Sequence, residues 1–255
     1  MKGKKTNETT LYDAIFKRKS IREYDPTPLD SNRLEEISKN LQSLKPMLND
    51  IETEFKIIKP EQVTRKFNSK APHFIAAFSE AKGVYKVNVG FMLQQMDLHF
   101  SATGIGSCWL GIPQPTKEVT DSSNLEFIIL MSFGNSKETL YRTSALEFKR
   151  QSLSDITDIE GEDELLEPVR LAPSAVNLQN WYFTGDKNAI HAYSAKPNFL
   201  RNIVGGSYYP VNMGIALCHL QLAAEHLGRK TKFVFDSSRD KNPPKSRAYV
   251  ATLEM

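Results

Sequence analysis

Four side chains near the N-terminus are of the types that bind an anion. Residues 16–22 read FKRKSIR and place Arg18, Lys19, Ser20 and Arg22 within five positions. Arginine presents a planar fork of N–H donors and serine adds a short, directional one, so the set suits a phosphate monoester. A basic run is also typical of a solvated helix face. The spacing alone leaves both interpretations open.

A second group of polar side chains lies far along the chain. Residues 173–181 read PSAVNLQNW, with Ser174, Asn177 and Gln179 in a segment rich in turn-forming residues. Serine, asparagine and glutamine both donate and accept hydrogen bonds, which suits the polar edge of a heterocycle. The same residue types form ordinary turns and helix caps. The corresponding stretch in the first part of the chain, near residues 44–55, has no similar pattern.

Two long segments that could position these groups are related to each other. Residues 85–104 (YKVNVGFMLQQMDLHFSATG) and 209–228 (YPVNMGIALCHLQLAAEHLG) share seven identities at an offset of 124, where about one is expected from ordinary residue usage. Apolar residues recur with helical spacing in both. Buried helices share composition, but they do not otherwise share a Tyr-x-Val-Asn-x-Gly pattern at one offset. The sequence therefore predicts an internal duplication with two long buried helices.

The basic segment also recurs, in a changed form. Residues 148–154 read FKRQSLS, which repeats Phe, Lys, Arg and Ser in order but has Ser154 where the first copy has Arg22. The complete basic segment thus occurs in the first part of the chain, and the Ser/Asn/Gln turn occurs in the second.

The remaining pattern predicts an α+β fold with short mixed or antiparallel sheets. We expect one compact domain over residues 1–255, made of a first half (about 10–134), a connector (135–164) and a second half (about 165–255), related by a pseudo-twofold axis. The predicted first helix covers 11–19, and glycines around residues 104–113 (GIGSCWLGIP) predict a loop. The predicted strands are 54–59, 73–79, 126–133, 181–184, 189–193, 232–235 and 247–253.

Composition narrows the function classes. Hydrophobic residues make up 40% and charged residues 25% of the chain, and the net charge of +3 does not favour nucleic acid as a partner. We expect no membrane partner, since no apolar run approaches a membrane span, and no secretory signal. Cys108 and Cys218 lack a CxxC spacing and are interpreted as buried thiols in a reducing cytoplasm. The five histidines form no ligand cluster, so no metal site is expected.

Three motifs together resemble the FMN-dependent nitroreductase family. Residues 18–24 (RKSIREY) resemble its RRSIRxF signature, residues 172–183 (APSAVNLQNWYF) are similar to its APSxxNxQPWxF stretch, and residues 101–111 (SATGIGSCWLG) resemble its AAxxLGLGxxWxG. Family members are homodimers that build each flavin site from both subunits. Because each motif is intact in one half alone, the chain resembles a single-chain, internally duplicated nitroreductase that keeps one complete site.

The resemblance implies a nitroreductase-like fold and one FMN per chain. It implies phosphate contacts from Arg18, Lys19, Ser20, Arg22 and Arg142. It implies isoalloxazine and ribityl contacts from Pro173, Ser174, Asn177 and Gln179, and backbone N–H groups of Leu110 and Gly111 directed towards flavin N5 and O4. A basic residue at the pyrimidine edge would be Arg65, Lys66 or Lys70.

The resemblance also implies the activity. NADH or NADPH would reduce the flavin at N5, and a small acceptor such as a nitroaromatic or quinone would reoxidise it, with no side chain acting as an essential acid or base. The chain would work as a monomer that is an intramolecular pseudo-dimer. The alternative hypothesis is a flavin-binding protein without turnover, serving as a sensor, a carrier or an interaction module.

Overall fold

The structure is a computed structural model that describes residues 10–64, 70–196, 206–241, 243–244 and 246–255. Its helices are α1 (Leu11–Ile15), α2 (Ser31–Gln42), α3 (Tyr85–Ala102), α4 (Lys117–Asp121), α5 (Leu153–Ile156), α6 (Asp163–Arg170) and α7 (Tyr209–His226). Its strands are β1 (Thr53–Ile58), β2 (His73–Ser79), β3 (Gly106–Leu110), β4 (Glu126–Gly134), β5 (Trp181–Asp186), β6 (Ala189–Ala195), β7 (Lys232–Val234) and β8 (Arg247–Glu254). None of these helices is long and apolar enough to cross a membrane.

The strands form two antiparallel sheets with the same internal plan. One sheet has the order β1-β2-β4-β3 and the other has the order β5-β6-β8-β7. A β-bulge interrupts β2 between Ala77 and Phe78, and another interrupts β6 between Ala192 and Tyr193. Matching order and matching bulges are expected of two copies of one unit, because bulges are inherited features of a sheet. The predicted α+β fold with two half-repeats is confirmed.

The two long helices, α3 and α7, cross at a pair of glycines. A Cβ on Gly90 would collide with the backbone oxygen of Val211, and a Cβ on Gly214 would collide with that of Val87. The offset of 124 that relates the two glycines also relates the two valines, so the crossing repeats itself across a pseudo-twofold axis. The apolar strips predicted to meet there are buried: Val89, Met92, Leu93 and Met96 on α3, and Met213, Ala216, Leu217 and Leu220 on α7.

The duplicated asparagines have matching roles as well. The Oδ1 atom of Asn88 accepts hydrogen bonds from the backbone N–H groups of Met47 and Leu48, at 2.9 and 3.0 Å. The Oδ1 atom of Asn212 accepts one from Ala175, at 2.9 Å. Both asparagines are buried and need such partners. Each therefore fixes the segment that leads into the first strand of its own sheet, β1 or β5.

Helix α1 is shorter than predicted. Thr10 and Asp13 form a capping box at its start, as residues that begin helices do. The helix ends at Ile15, and the backbone then forms isolated bridges from Arg18 to Tyr141 and from Ser20 to Ser107. These pairings hold the basic segment in an extended form, so the prediction of a helix through residue 19 is wrong.

Residues 106–110 form a strand, where a loop was predicted. Strand β3 pairs antiparallel with β4 and occupies the place that β7 has beside β8. Its five residues are too short a run to show alternation, and the flanking glycines suggested a turn. Gly104 has φ +79° and ends α3, whereas a Cβ on Gly106 would crowd the side chain of Ile21. The glycines therefore shape the entry to the strand.

Candidate functional site

A pocket of about 130 Å³ lies where the two halves meet. Of the residues singled out from sequence, Ser20, Arg22 and Gly111 reach it from the first half, and Pro173 and Ser174 reach it from the second. The other lining residues are Cys108, Trp109, Ile129, Ala175, Val176, Tyr208, Val211, Asn212 and Ile215. The basic segment and the turn, which are remote in sequence, thus form opposite walls of one cavity.

Arg22 presents the most available cation of this pocket. The segment is held against β3 because the N–H of Ile21 donates to the backbone oxygen of Ser107 at 2.9 Å. The backbone N–H of Arg22 donates to Oε1 of Glu138 at 2.7 Å. Among the described residues, its exposed guanidinium makes one long contact, 3.4 Å from Nη1 to the backbone oxygen of Ser20. That weak contact leaves the donors of Arg22 free to bind an anion.

Lys19 is directed away from the pocket. Its Nζ lies 2.7 Å from Oε2 of Glu138 and donates to the backbone oxygen of Thr139 at 3.1 Å. Partial burial opposes ionisation of Glu138, but the N–H groups of Arg22 and Glu23 and the Lys19 ammonium together lower its pKa. Lys19 therefore holds the acid that orders the backbone of the basic segment.

Arg18, from which a phosphate contact was expected, is almost completely buried, at 1% exposure. Its Nε lies 2.9 Å from Oδ2 of Asp97, and its Nη2 donates to the hydroxyl oxygen of Ser20 at 2.9 Å. Because the Ser20 oxygen accepts from Arg18, its own hydroxyl hydrogen is left to donate on the pocket side, where Cys108 is a neighbour. Arg18 thus lies behind the pocket wall and orients Ser20.

A buried polar network continues from Arg18 into the helix crossing. Asp97 accepts from the hydroxyl of Ser107 at 2.6 Å and from Nε2 of Gln94 at 3.2 Å. The Gln94 amide nitrogen also lies 3.1 Å from Nε2 of His219. Sequence reasoning missed this network. The available signal was an aspartate and a histidine near the middle of two helices that were predicted to be buried.

Three guanidinium groups gather behind the pocket. Nη1 of Arg142 donates to the backbone oxygen of Arg18, and its guanidinium lies 4.2 Å from the centre of the Phe148 ring. Arg150 lies 5.8 Å from the same ring. Burial, followed by the positive charge of Arg18, lowers the pKa of Arg142 to about 10 and that of Arg150 to about 9. This concentration of positive charge favours a bound anion.

The turn that forms the other wall is held in an uncommon backbone conformation. Val176, Asn177 and Gln179 have φ values of +44°, +59° and +46°. Left-handed conformations of residues other than glycine cost about 1–3 kcal/mol each and are often found at ligand sites. The backbone N–H of Gln179 donates to the Ser174 hydroxyl oxygen at 2.9 Å, which closes the turn. Val176 is 67% exposed at the pocket rim.

The predicted turn residues divide into two groups. Pro173 and Ser174 line the pocket. The side-chain amides of Asn177 and Gln179 bind residues 149–151 instead. The two amides therefore tie the turn to the connector.

The end of β3 lies beneath an aromatic ring. Tyr208 precedes α7, its hydroxyl donates to the backbone oxygen of Gly111, and its ring would crowd any Cβ at that position. Leu110 is paired with Leu130 of β4 and does not line the pocket. Burial raises the pKa of Tyr208, so its hydroxyl is protonated at neutral pH. A side chain at position 111 would displace this ring.

The position related to the pocket by the pseudo-twofold axis is packed with aromatic side chains. The offset of 124 relates the pocket residues Trp109 and Ile215 to Phe233 and Phe91. The Phe91 and Phe233 rings meet edge to face, with centroids 5.6 Å apart; Phe91 belongs to the main hydrophobic core, and the partly buried Phe233 packs against that core. Apolar packing thus takes the place of a second pocket wall.

The basic residue expected at a pyrimidine edge is not located. Arg65 and Lys66 lie outside the described residues, and Lys70 is exposed. Within the described ranges, no group of three or more His, Cys, Asp or Glu side chains is arranged to hold a metal ion.

Comparison with known proteins identifies the fold. A family model described as "Putative TM nitroreductase" matches residues 10–224. The solved structure of a putative nitroreductase from Thermotoga maritima superimposes with a TM-score of 0.69 at 20% identity, over 99% of this chain and 96% of that one. No protein with a curated description matches the sequence.

Two shorter solved structures also match. A nitroreductase family protein from Clostridium difficile (16% identity, TM-score 0.45) covers 57% of this chain and 95% of its own. A nitroreductase with bound FMN from Desulfitobacterium hafniense (14% identity, TM-score 0.44) covers 56% of this chain and 97% of its own.

Proposed function

The chain belongs to the family described as "Putative TM nitroreductase", and we propose that it is an FMN-dependent oxidoreductase. It takes electrons from NADH or NADPH and passes them to a small acceptor such as a nitroaromatic or a quinone. One observation carries this proposal. Ser20 and Arg22 from the basic segment and Pro173 and Ser174 from the turn line the same pocket. The two motifs that resemble a divided flavin site therefore meet in space.

The chemistry of the pocket fits a phosphorylated planar ligand. Arg22 offers free donors at one end, with the positive charge of Arg142 behind it. The indole Nε1 of Trp109, a residue of the pocket lining, is buried and has no hydrogen-bond partner in the part of the chain that the structure describes, although such donors usually have one. Apolar side chains from α7 complete the wall, as is common for cofactor sites.

The pocket must widen to receive the ligand. Its volume of about 130 Å³ is below the roughly 300–1,000 Å³ of pockets that hold drug-sized ligands. Tyr208 lies directly over Gly111 and lines the pocket together with the turn residue Val176. We expect the Tyr208 ring to move away from Gly111 when flavin binds.

Each protein group would then have a definite task. Arg22 and the Ser20 hydroxyl would bind the phosphate. Arg18 and Lys19 would order that end of the pocket, and Arg142 would add positive charge to it. Pro173 and Ser174 would contact the ring system. Bound FMN would supply the hydride and electron transfer chemistry, and the protein supplies binding, orientation and electrostatics. Backbone N–H groups at Leu110 and Gly111 would lie near the positions where negative charge develops on reduction.

The remaining features of the proposal concern assembly. One flavin per chain is supported by the packing of Phe91 against Phe233 at the related position. We propose that residues 1–255 act as one domain and as a monomer, because the two halves supply both walls of the pocket. A cytoplasmic location stays a prediction. It is supported by the free thiols of Cys108 and Cys218.

The absorption spectrum of the purified chain tests the proposal directly. We expect a yellow protein with about one FMN per chain, whose colour bleaches on addition of NADH or NADPH and returns on addition of a nitroaromatic or a quinone. Bleaching by neither nicotinamide would instead favour a flavin-binding protein without turnover. Failure to bind FMN when it is supplied in excess would overturn the proposal.

A further inference from the structure

We propose that residues 149–151, within the second copy of the basic segment (148–154), have become a clamp that holds the turn at residues 174–179 in its pocket-lining shape, with Arg150 as the positioning residue. The effect of the clamp on flavin binding rests on the proposed function, because the clamped turn forms one wall of the proposed flavin pocket. Its structural basis is independent of flavin.

Asn177 is held at both ends of its amide. Nη1 of Arg150 donates to Oδ1 of Asn177 at 2.6 Å. Nδ2 of Asn177 donates to the backbone oxygen of Lys149 at 3.0 Å. An amide that is bound on both its oxygen and its nitrogen has a fixed orientation. Asn177 therefore acts as the attachment point of the turn, where its sequence position suggested a direct contact with the ligand.

Gln179 provides the second attachment. Its Oε1 accepts from the backbone N–H of Gln151 at 2.8 Å, and its Nε2 donates to the backbone oxygen of Asn177 at 3.2 Å. The clamp thus consists of consecutive residues of the connector, 149–151, that bind alternate residues of the turn. Together these bonds span the stretch that includes Val176 on the pocket rim.

Backbone strain is concentrated at the clamp. In the described chain, five residues other than glycine have positive φ values, and four of them lie in the two facing segments: Lys149, Val176, Asn177 and Gln179. Such conformations persist where the surrounding contacts determine them. The strain does not indicate a ligand by itself. Its coincidence with the hydrogen bonds shows which contacts keep the turn in this shape.

A sequence difference between the two copies explains why Arg150 can bind the turn. In the first copy, Arg18 pairs with Asp97 and binds Ser20. The offset of 124 places Gln221 at the position related to Asp97, so the second copy has lost its acid. Arg150 donates instead to the backbone oxygens of Phe148 and Leu171 and to the side chain of Asn177. Arg150 has no buried carboxylate at this position, and its hydrogen bonds go to uncharged acceptors instead.

Amide hydrogen exchange of the flavin-free protein tests the clamp. In Arg150→Gln we expect the N–H groups of Asn177, Leu178 and Gln179 to exchange at least tenfold faster than in the wild type. The matched control is Arg229→Gln, which removes a partly buried arginine paired with Glu162. The control should leave exchange in the turn unchanged. Equal exchange of the turn in wild type and Arg150→Gln would overturn the inference.

A double-mutant cycle shows whether Arg150 acts through Asn177. We expect Arg150→Gln and Asn177→Ala each to weaken FMN binding about tenfold, and the double variant to be no weaker than either one. Losses of FMN affinity that multiply in the double variant would contradict the clamp. An Arg150→Gln variant that binds FMN as tightly as the wild type would contradict it as well. If Arg150→Gln does not fold, amide hydrogen exchange of the turn in Asn177→Ala is measured instead, and unchanged exchange there would overturn the inference. If the wild type binds no flavin, the proposed function fails while the exchange result still stands.

Discussion

The Nε atom of Arg18 lies 2.9 Å from Oδ2 of Asp97, and the two side chains are 1% and 0% exposed. The Nε–H does not point closely enough at the carboxylate to form a hydrogen bond, so the contact is an ion pair. It fastens the basic segment to α3, deep beneath the pocket. The charge of a residue that sequence assigned to phosphate is thus largely balanced within the protein.

Replacing Asp97 with asparagine should strongly destabilise the protein. The substitution keeps the shape of the side chain but leaves the Arg18 charge buried without a counter-ion, which costs about 3–5 kcal/mol. Denaturant unfolding of the two proteins would measure the loss. The control is Glu35→Gln, which breaks the exposed pair with Lys39 and should cost about 0–1 kcal/mol. Similar losses of stability in both variants would show that the buried ion pair stabilises the protein no more than the exposed pair does.

Arg22→Ala should weaken FMN binding without loss of stability. A hydrogen bond to a charged group contributes about 1.5–3 kcal/mol, which corresponds to roughly a ten- to hundredfold change in affinity. Riboflavin lacks the phosphate, so it should bind the wild type and the variant alike. Titration of both flavins against both proteins measures the difference. Unchanged FMN affinity would remove Arg22 from the phosphate site.

A control for Arg22 is available on α2. Lys39→Ala removes an exposed cation remote from the pocket lining, and FMN affinity should be unchanged. Arg18→Ala is unsuitable as a direct test of phosphate binding. It would leave the Asp97 carboxylate buried without a counter-ion, so a loss of affinity could follow from a loss of stability.

The sequence predicted the features that depend on local pattern or on repetition. The duplicated Tyr-x-Val-Asn-x-Gly pattern predicted an internal repeat with two long buried helices. In the structure, Gly90 and Gly214 permit the close approach of these helices, and the asparagines anchor the neighbouring segments. The sequence could not predict the burial of Arg18, which depends on an acid 79 positions away. Nor could it show that Tyr208 covers Gly111, because that contact joins segments from different halves.

Gly214→Ala should be among the most damaging single-methyl changes in the protein. The added Cβ would meet the backbone oxygen of Val87 and the backbone nitrogen of Phe91, and neither can rotate away as a side chain could. Overpacking typically costs about 1–3 kcal/mol, and more where the backbone must shift. Gly90→Ala should behave similarly, because Val211 is the related neighbour. Thermal or denaturant unfolding measures both variants.

The control for the glycine variants is Gln221→Ala on the outer side of α7. This change loses an exposed hydrogen bond to Glu225 and should cost only about 0.2–0.5 kcal/mol. Stabilities of Gly214→Ala and Gln221→Ala that agree within error would mean that the helices can separate at little cost.

His219 is buried at the same helix crossing and is neutral when folded. Burial is the largest cause that lowers its pKa to about 3; the hydrogen bond to the Pro168 oxygen opposes the shift, and the charges of Arg18 and Arg150 add to it. Its Nδ1 lies 2.8 Å from that oxygen and its Nε2 lies 3.1 Å from the Gln94 amide nitrogen. In this arrangement Nδ1 carries the hydrogen and Nε2 accepts from Gln94. A second proton on Nε2 would place two donors face to face.

His219 should therefore make folding stability fall in mild acid. The unfolded chain binds a proton at this residue below a pKa of about 6.5, whereas the folded chain does not until about pH 3. Stability is thus complete above pH 6.5 and decreases by about 1.4 kcal/mol per pH unit below it. His219→Asn keeps a donor for Pro168 and cannot titrate, so its stability should fall by about 2–3 kcal/mol less than that of the wild type between pH 6.5 and 4.5. The other histidines are common to both proteins, so the difference between their denaturant unfolding curves isolates His219. Parallel pH profiles would show that His219 is protonated in the folded protein.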